Sequence, residues 1–488
     1  MKNSLHVILF AIFIALATSA GAQTRYLDEV FSNVQVDTTI TYGVNYEFFT
    51  NFDSLRPLIM DVYRPVGDTV TKRPLVLLSH NGSFLPEILT QNLAGLCFNG
   101  RKDSSIVELC KRFARRGYVA VSFDYRLGWS ATSSIQEVRT ATIIQAVYRA
   151  MQDSKTLVRY FKNDFAGNGN SWGIDTGKIV IGGSNSGAYV ALAAGALNDT
   201  SDLSNIKFIG SNGPFLKQDT LGDFDGFGGV QNHDNYPGIS SRFECVLSLG
   251  GAVGDTSWIR AGQPPVIAFQ GVNESGTPYN TAIVTTSTGQ PVIEVSGSGD
   301  FMPIVVRLGN NTVFGTTFRQ GPPNITGNAV VTTPVEGLYP FYGKEFEPWN
   351  WYEPTCYNNS QPMQQLNPGA NPVTGNLYID TIMGYTTPRL YKMFVDPSFT
   401  SVKDIKGNTQ ISLQPNPASS SFSIMTGMNE QAISGISISE LTGRTIKEIT
   451  AAEGTKNIDV NNLSDGIYLI TIKLADGSLV TRKLAIKR

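Results

Sequence analysis

Residues 178–197 read KIVIGGSNSGAYVALAAGAL and carry the pattern that decides the fold. They open with a short β-branched run, which is typical of a buried strand. Two glycines interrupt this run, and Ser184 follows at once. From Gly187 onward, small residues surround larger apolar ones at helical spacing. The segment therefore predicts a strand, a sharp turn and a helix.

A serine on such a turn is lifted above the C-terminal edge of a sheet, beside the N–H groups of a helix N-terminus. This arrangement is a nucleophile elbow, with the consensus G-x-S-x-G. Here Gly182-Gly183-Ser184-Asn185-Ser186 would supply it, with Ser186 in place of the second glycine. Small residues are needed there because a larger side chain would clash with the neighbouring backbone. Ser184 is the candidate nucleophile, and an ordinary strand-to-helix turn is the alternative.

Residues 1–22 have the features of a secretory signal peptide. Lys2 lies near the terminus, an apolar core covers 7–17, and Ala20-Gly21-Ala22 fits a cleavage site. The apolar core is too short to span a bilayer, and no later window is long and apolar enough. We therefore expect an exported product without a transmembrane segment.

The composition is that of a globular chain, with 41% hydrophobic and 16% charged residues and a formal net charge of −2 over 488 residues. This balance, without a basic block, argues against nucleic acid and anionic lipid as partners. The four cysteines are Cys97, Cys110, Cys245 and Cys356. In an oxidising compartment we expect one or two disulfides. Proximity in sequence favours a bond between Cys97 and Cys110, with other pairings and buried free thiols as alternatives.

Strand-like and helical patterns alternate through the first half of the chain. Apolar strand-like runs cover 56–64, 73–79 and 118–124, and helical spacing covers 105–116 and 135–161. This alternation predicts a largely parallel sheet with helices on both faces. The second run ends in HNGSF at 80–84, a small loop that can direct backbone N–H groups at a developing oxyanion.

Four blocks of sequence, in this order, resemble the α/β-hydrolase superfamily and its carboxylesterase, lipase and hormone-sensitive-lipase-like branch. They are HNGSF at 80–84, RRGYVAVSFDYRLG at 115–128, GIDTGKIVIGGSNSG at 173–187 and PPVIAFQGVNESGTPY at 264–279. The resemblance spans residues 58–279. It implies an α/β-hydrolase fold and hydrolysis of carboxylic esters by acyl transfer, without a metal or an organic cofactor.

The resemblance also assigns roles to single residues. Ser184 takes the place of the nucleophile. Glu274 takes the place of the acid, because the fourth block resembles the H-G-x-x-D-x-x-V-P segment of relatives. Asp255 is the runner-up acid, although it could equally cap the segment that follows. The oxyanion hole is assigned to the N–H groups around Asn81, Gly82 and Asn185.

Histidine is where the chain departs from this pattern. In this branch the catalytic histidine follows the serine and the acid in chain order, but no histidine follows His233. Once the signal peptide is removed only His80 and His233 remain, and both precede Glu274. Three accounts are open. His233, in the Gly-rich loop 226–238, is a relocated base; His80 is the base; or the fold binds a ligand without catalysis.

Residues 280–396 are rich in Thr, Gly, Asn and Pro and contain an aromatic cluster over 339–352. We expect this stretch to be an aromatic-rich insertion in the hydrolase-like domain. Its aromatic side chains would either line a sugar or acyl pocket or pack as a lid or satellite core.

Residues 411–488 are expected to form a second domain. Period-two strands bounded by Gly and Asn predict a small β-sandwich. The opening at 415–417 (PNP), the L-x-x-G-x-Y segment at 463–468 and the basic end at 483–488 resemble the type IX secretion system C-terminal sorting domain. This resemblance implies secretion machinery as a partner and export across the outer membrane. An adhesive carbohydrate-binding sandwich is the alternative.

The expected organisation is a signal peptide at 1–22, an α/β-hydrolase-like domain at 23–402, a linker at 403–410 and the sorting domain at 411–488. Two functions remain open. The first is a secreted carboxylic ester hydrolase acting on a small-molecule, glycan or lipid ester through Ser184. The second is a catalytically inactive, hydrolase-fold extracellular binding protein. Retention of the serine and the oxyanion loop favours the first, and the missing histidine favours the second.

Overall fold

The computed structural model describes residues 24–274, 276–315, 335–342, 346–398, 412–425, 433–440, 445–450, 457–474 and 479–488. The predicted signal peptide and the predicted linker lie outside these residues. The described residues up to 398 belong to one compact unit and those from 412 onward to a second. In the described part of the chain, no helix has the length and apolarity that a membrane crossing requires.

The large unit is built on an eight-stranded sheet, whose strands are β1 to β8 in chain order. They are β1 (Val34–Tyr46), β2 (Leu55–Pro65), β3 (Arg73–Ser79), β4 (Val119–Phe123), β5 (Ile174–Ser184), β6 (Cys245–Leu249), β7 (Val266–Gly271) and β8 (Leu338–Phe341). Their spatial order is β1-β2-β4-β3-β5-β6-β7-β8. Strand β2 is antiparallel to β1 and β4, and all other neighbouring pairs are parallel. The predicted, largely parallel sheet is confirmed.

Helices cover both faces of the sheet. They are α1 (Glu87–Ala94), α2 (Ser104–Arg115), α3 (Gln136–Gly167), α4 (Ser186–Ala196), α5 (Gln218–Leu221), α6 (Ser298–Arg307), α7 (Pro354–Asn359), α8 (Gln361–Leu366) and α9 (Pro372–Phe394). Successive strand residues point to opposite faces. Leu75 and Leu77 of β3 therefore join the core on the side of α3 and α4, whereas Val76 and Leu78 join the core on the side of α2 and α9.

The stretch that we expected to be an insertion supplies part of this core. Strand β8 pairs with β7 in parallel, and Tyr339 and Phe341 stack on Phe269 of β7. Strand β8 is thus part of the central sheet, and burial of its aromatic rings stabilises its pairing with β7. The expectation that the whole of 280–396 is an insertion is therefore corrected. The same stretch holds an antiparallel hairpin of Ala282–Thr285 and Pro291–Gly297, which pairs with Ala252–Val253.

A disulfide joins Cys97 to Cys356, which lies in α7. Our preferred pairing of Cys97 with Cys110 is therefore wrong. Cys110 lies on α2 and is fully buried against the sheet, whereas the Cα atoms of Cys97 and Cys356 are 5.9 Å apart. Cys110 and Cys245 are buried free thiols.

The C-terminal unit is made of two antiparallel sheets. One contains Ser412–Gln414, Ser421–Met425 and Ile458–Asp459, and the other contains Thr445–Thr450, Ile433–Glu440, Gly466–Leu474 and Leu479–Ile486. Both sheets contribute to one apolar cluster, which includes Phe422, Ile438 and Ile470. The expected β-rich domain is confirmed.

Candidate functional site

The turn between β5 and α4 is centred on Asn185. Strand β5 ends at Ser184 and helix α4 begins at Ser186. Asn185 lies between them with φ 48° and ψ −110°, a conformation that residues other than glycine seldom adopt. Such strain is concentrated at functional sites of folds. Asn185, rather than Ser184, is therefore the residue raised on the sharp turn.

Two flanking glycines confirm where the turn is centred. A Cβ on Gly183 would lie 2.4 Å from the carbonyl carbon of Gly187, and a Cβ on Gly187 would lie 2.2 Å from the carbonyl oxygen of Ser79. Both positions therefore require glycine. They stand two residues before and two residues after Asn185, as the two glycines of an elbow do. The motif is G-x-N-x-G, one residue further along the chain than we expected.

Ser184 is enclosed beneath the turn. Its hydroxyl donates to Glu347 Oε1 over 2.6 Å and accepts from Trp349 Nε1 over 2.9 Å. Only 1% of Ser184 is exposed, and Glu347 and Trp349 are fully buried. A hydroxyl held between two buried partners stabilises the packing of the loop after β8 against β5.

Glu347 is a site residue that sequence reasoning missed. It follows β8, which is the position where the resemblance placed the catalytic histidine, and its backbone has a positive φ of 28°. Burial raises the pKa of its carboxyl, against the opposing effect of the hydrogen bond from Ser184. The available signal was an acidic residue inside the aromatic cluster at 339–352.

Glu274 follows β7, as the resemblance implied for the acid. Its Oε1 accepts a hydrogen bond from Asn185 Nδ2 over 2.7 Å, and its Oε2 has no partner among the described residues. Burial, and next the charge of Glu347, raise the pKa of Glu274 well above its usual value. The acid therefore bonds the elbow residue directly, where a triad would place an imidazole between them.

The runner-up acid, Asp255, is used elsewhere. Its side chain accepts from the N–H of Ser257 at the start of a short 3-10 helix, and it pairs with Lys207 over 2.7 Å. This is the capping role that the sequence offered as the alternative.

Neither histidine bonds the Ser184 hydroxyl, whose partners are Glu347 and Trp349. The backbone N–H of His233 donates to the side chain of Asn45 on β1 over 3.0 Å. Four strand spacings separate β1 from β5, which is roughly 19 Å across the sheet. His80 lies in the loop after β3, stacked on Tyr125. Glu347, and neither histidine, is therefore the ionisable group that is hydrogen-bonded to Ser184.

The expected oxyanion donors are mostly occupied within the chain. The N–H of Gly82 donates to Asn81 Oδ1 over 2.6 Å, and the N–H of Asn185 donates to the carbonyl of Leu249 over 2.7 Å. In the corrected register, the donor that follows the elbow residue is the N–H of Ser186. As the first residue of α4, Ser186 has no acceptor within its own helix for that group.

A largely apolar cavity of about 160 Å³ opens in front of the elbow. Asn185, Tyr189, Ala193 and Leu197 line it at intervals of four residues, so it follows α4 for about 18 Å. Helix α3 and the hairpin after β7 supply most of the remaining wall through Ile143, Val147, Val284 and Ile293. Neither Ser184 nor Glu347 lines this cavity. No group of three or more His, Cys, Asp or Glu able to hold a metal ion occurs within the described residues.

Residues 412–487 match the family model described as secretion system C-terminal sorting domain. This match indicates interaction with a secretion machinery and export to the cell surface or beyond. A search among curated proteins gives no significant match.

Solved structures of an esterase from Thermogutta terrifontis are similar to the large unit. Esterase 2 phosphoramylated by tabun is 16% identical with a TM-score of 0.37, and the match covers 76% of this chain and 98% of that chain. The propionate-bound thermophilic esterase Est2 is 17% identical with a TM-score of 0.34, covering 70% and 94%. Similarity at this level assigns neither an activity nor a residue's role. By its strand order and elbow, this chain has an α/β-hydrolase fold, and that fold is followed by a secretion system C-terminal sorting domain.

Proposed function

We propose that the large unit is an exported, hydrolase-fold binding protein that holds an apolar ligand in the cavity beside Asn185. The observation that carries this proposal is the residue at the apex of the elbow. A carboxamide nitrogen is not a nucleophile for acyl transfer, because its lone pair is delocalised into the carbonyl. The elbow therefore presents a hydrogen-bonding group to the cavity.

The surroundings of Asn185 support a binding role. Its amide is fixed by the hydrogen bond to Glu274, and an imidazole would have to displace that bond. Phe346 fills the neighbouring space: its ring and the Asn185 amide both lie within 4 Å of the position that a Cβ on Gly276 would take. A fixed amide beside an apolar cavity is typical of a ligand site, in which a few polar groups orient an otherwise apolar molecule.

Ligand binding is tested with decanoate by isothermal titration calorimetry on the full chain. Val147→Trp should lower the affinity at least tenfold, because Val147 lies on the cavity side of α3 and the indole would fill the space. Val138→Trp is the matched control. It introduces the same ring on the same helix at a position 36% exposed to solvent and outside the cavity wall, and it should bind like the wild type.

No heat of binding with decanoate, or equal binding by both variants, would contradict the proposal. If Val138→Trp lowers the decanoate affinity as much as Val147→Trp does, the ligand binds elsewhere on α3.

Ester hydrolysis through Ser184 is the second candidate function, and one observation favours it. Glu347 lies 2.6 Å from the Ser184 hydroxyl, within the range for a general base. This reading requires the loop 346–352 to move away, since Ser184 is buried and does not line the cavity. Hydrolysis of p-nitrophenyl acetate and butyrate that is lost in Ser184→Ala would support it. Rates equal in the wild type and Ser184→Ala support the binding protein.

A further inference from the structure

A second set of cavities lies on the large unit, separate from the cavity beside Asn185. One lobe has a volume of about 790 Å³. It is bounded by the loops after β3 and β4, by the end of β1 with the loop that follows it, and by the start of β2. An adjoining lobe of about 770 Å³ is bounded by α1, α2 and the segment around α7. Glu87, Phe98, Asn99 and Lys102 line both lobes. We call the two lobes together the polar groove.

The lining of the polar groove differs from that of the apolar cavity. Carboxylate and amide side chains line it, among them Asn45, Glu47, Gln91, Asn99, Asn358 and Asn371. Aromatic rings also line the groove: Phe49, which is 48% exposed, in the first lobe and Trp351 and Tyr357 in the second. Paired donors and acceptors next to flat apolar faces suit a ligand that carries many hydroxyl groups and has apolar ring faces.

Most basic groups of the first lobe are paired within the protein; Lys102, which lines both lobes together with Glu87, forms no ion pair among the described residues. Arg101 pairs with Asp124 and with Asp61, Arg126 pairs with the buried Asp153 over 2.9 Å, and Arg56 lies 3.6 Å from Glu47. A polyanion requires uncompensated basic groups, because the gain on binding comes from neutralising its charge. The pairing in this groove therefore favours an uncharged ligand.

Each lobe also has a buried polar side chain with an unsatisfied atom. His80 is 2% exposed, its ring is stacked on Tyr125 at 4.6 Å, and its Nδ1 contacts the carbonyl of Asn81. A carbonyl oxygen only accepts, so Nδ1 carries the proton and Nε2 is left as an acceptor. Within the described part of the chain, Nε2 has no hydrogen-bond partner, and it lies 3.5 Å from Asp124 Oδ1. Asp124 Oδ1 already accepts from the backbone N–H of Arg101 over 3.1 Å, so the acceptor that calls for a hydroxyl or amine hydrogen is His80 Nε2.

Asp103 is the corresponding residue of the second lobe. It is 3% exposed; a backbone N–H from Asn99 satisfies one carboxyl oxygen, and Oδ2 has no partner. Burial, and next the charge of Glu347, raise the pKa of Asp103 well above its usual value. A protonated Asp103 would offer one hydrogen to an acceptor in this lobe.

We propose that the polar groove binds a neutral oligosaccharide whose units occupy both lobes. Each lobe alone has the volume of a site for a small ligand, so the pair accommodates several sugar units in a row. A sugar hydroxyl supplies the donor that His80 Nε2 lacks, and the rings of Phe49, Trp351 and Tyr357 stack on the apolar faces of the sugars. This binding is independent of the apolar ligand proposed for the cavity beside Asn185.

The test is isothermal titration calorimetry of the full chain with cellohexaose, xylohexaose and maltohexaose, and with dextran sulfate as the polyanion. At least one neutral hexasaccharide should bind. Asn99→Trp, at the exposed junction of the lobes, should weaken that binding at least tenfold. Phe49→Ala should weaken it several-fold. Its matched control, Phe165→Ala, removes a ring that is 38% exposed at the far end of α3 and should leave the affinity unchanged.

Decanoate binding by Asn99→Trp shows that this variant is folded, and it keeps the two proposals separate. Absence of binding to all three hexasaccharides overturns the inference. Binding that survives both Asn99→Trp and Phe49→Ala, or dextran sulfate binding more tightly than every neutral glycan, overturns it as well.

Discussion

Gly187→Ala is expected to destabilise the large unit by about 3 kcal/mol, because the new methyl group would meet backbone on two sides. Its Cβ would lie 2.2 Å from the carbonyl oxygen of Ser79 and 2.7 Å from that of His80. Neither atom can move without displacing the end of β3. Urea unfolding followed by tryptophan fluorescence measures the change, and all five tryptophans precede residue 400, so the signal reports the large unit.

Gly167→Ala is the matched control for this substitution. Gly167 is the last residue of α3, and a Cβ there would meet no atom within 4 Å. Its free energy of unfolding should stay within about 0.5 kcal/mol of the wild type. Equal stability of Gly187→Ala and Gly167→Ala would contradict the close approach of the elbow to β3.

The contribution of three buried carboxyl groups to the stability of the large unit should fall as the pH rises above about 4.5, because these groups hold their protons more tightly in the folded state. They are Asp103, Glu274 and Glu347. Where the folded chain binds more protons than the unfolded chain, the free energy of unfolding decreases with rising pH. Each contribution is fully present below the unfolded pKa, which is about 4. It is lost as the pH rises through the raised pKa of the folded state.

Glu274→Gln isolates this effect. The amide oxygen of glutamine can still accept from Asn185, but the side chain no longer titrates. The variant should therefore lose less stability than the wild type between pH 5 and 8, by about 1.4 kcal/mol for each pKa unit that the carboxyl is raised. Glu294→Gln changes a carboxylate that is 56% exposed and should follow the wild-type curve. Parallel curves for wild type and Glu274→Gln would mean that Glu274 is ionised in the folded protein.

The fold was predictable from the sequence because its signals are local. Alternation of apolar strands with helical periodicity predicted the parallel sheet, and β3 and β4 are buried along their whole length, as that pattern requires. Strand β8 was hidden because only four residues form it and a proline lies among them. Its place follows from pairing with β7, a contact between distant parts of the chain that no local pattern records. The disulfide between Cys97 and Cys356 was missed for the same reason.

The site was predicted one residue out of register. Both Gly182 and Gly183 precede Ser184, so the motif can be read around Ser184 or around Asn185. A serine in the pattern favoured the first reading. The spacing of Gly183 and Gly187 supports the second, and the close approaches at both glycines and the positive φ of Asn185 decide it.

Glu274 was assigned from the resemblance of the block at 264–279 to the α/β-hydrolase superfamily, and it does lie at the elbow. Glu347 could not be found in this way. The strand that precedes it was not predicted, and the aromatic residues around it were interpreted only as a pocket lining or as packed rings. The partners of Ser184 follow from the pairing of β8 with β7. This pairing places Glu347 and Trp349, in the loop after β8, against the end of β5.

The most direct test of a non-catalytic elbow is covalent labelling of the full chain with a fluorophosphonate, read by intact mass. The reagent modifies serines that a neighbouring base has activated. We predict that the mass stays unchanged under conditions in which a serine esterase is fully labelled, since Asn185 occupies the apex and Ser184 is enclosed by Glu347 and Trp349. A stoichiometric adduct that peptide mapping places on Ser184 would contradict this account and identify a serine hydrolase.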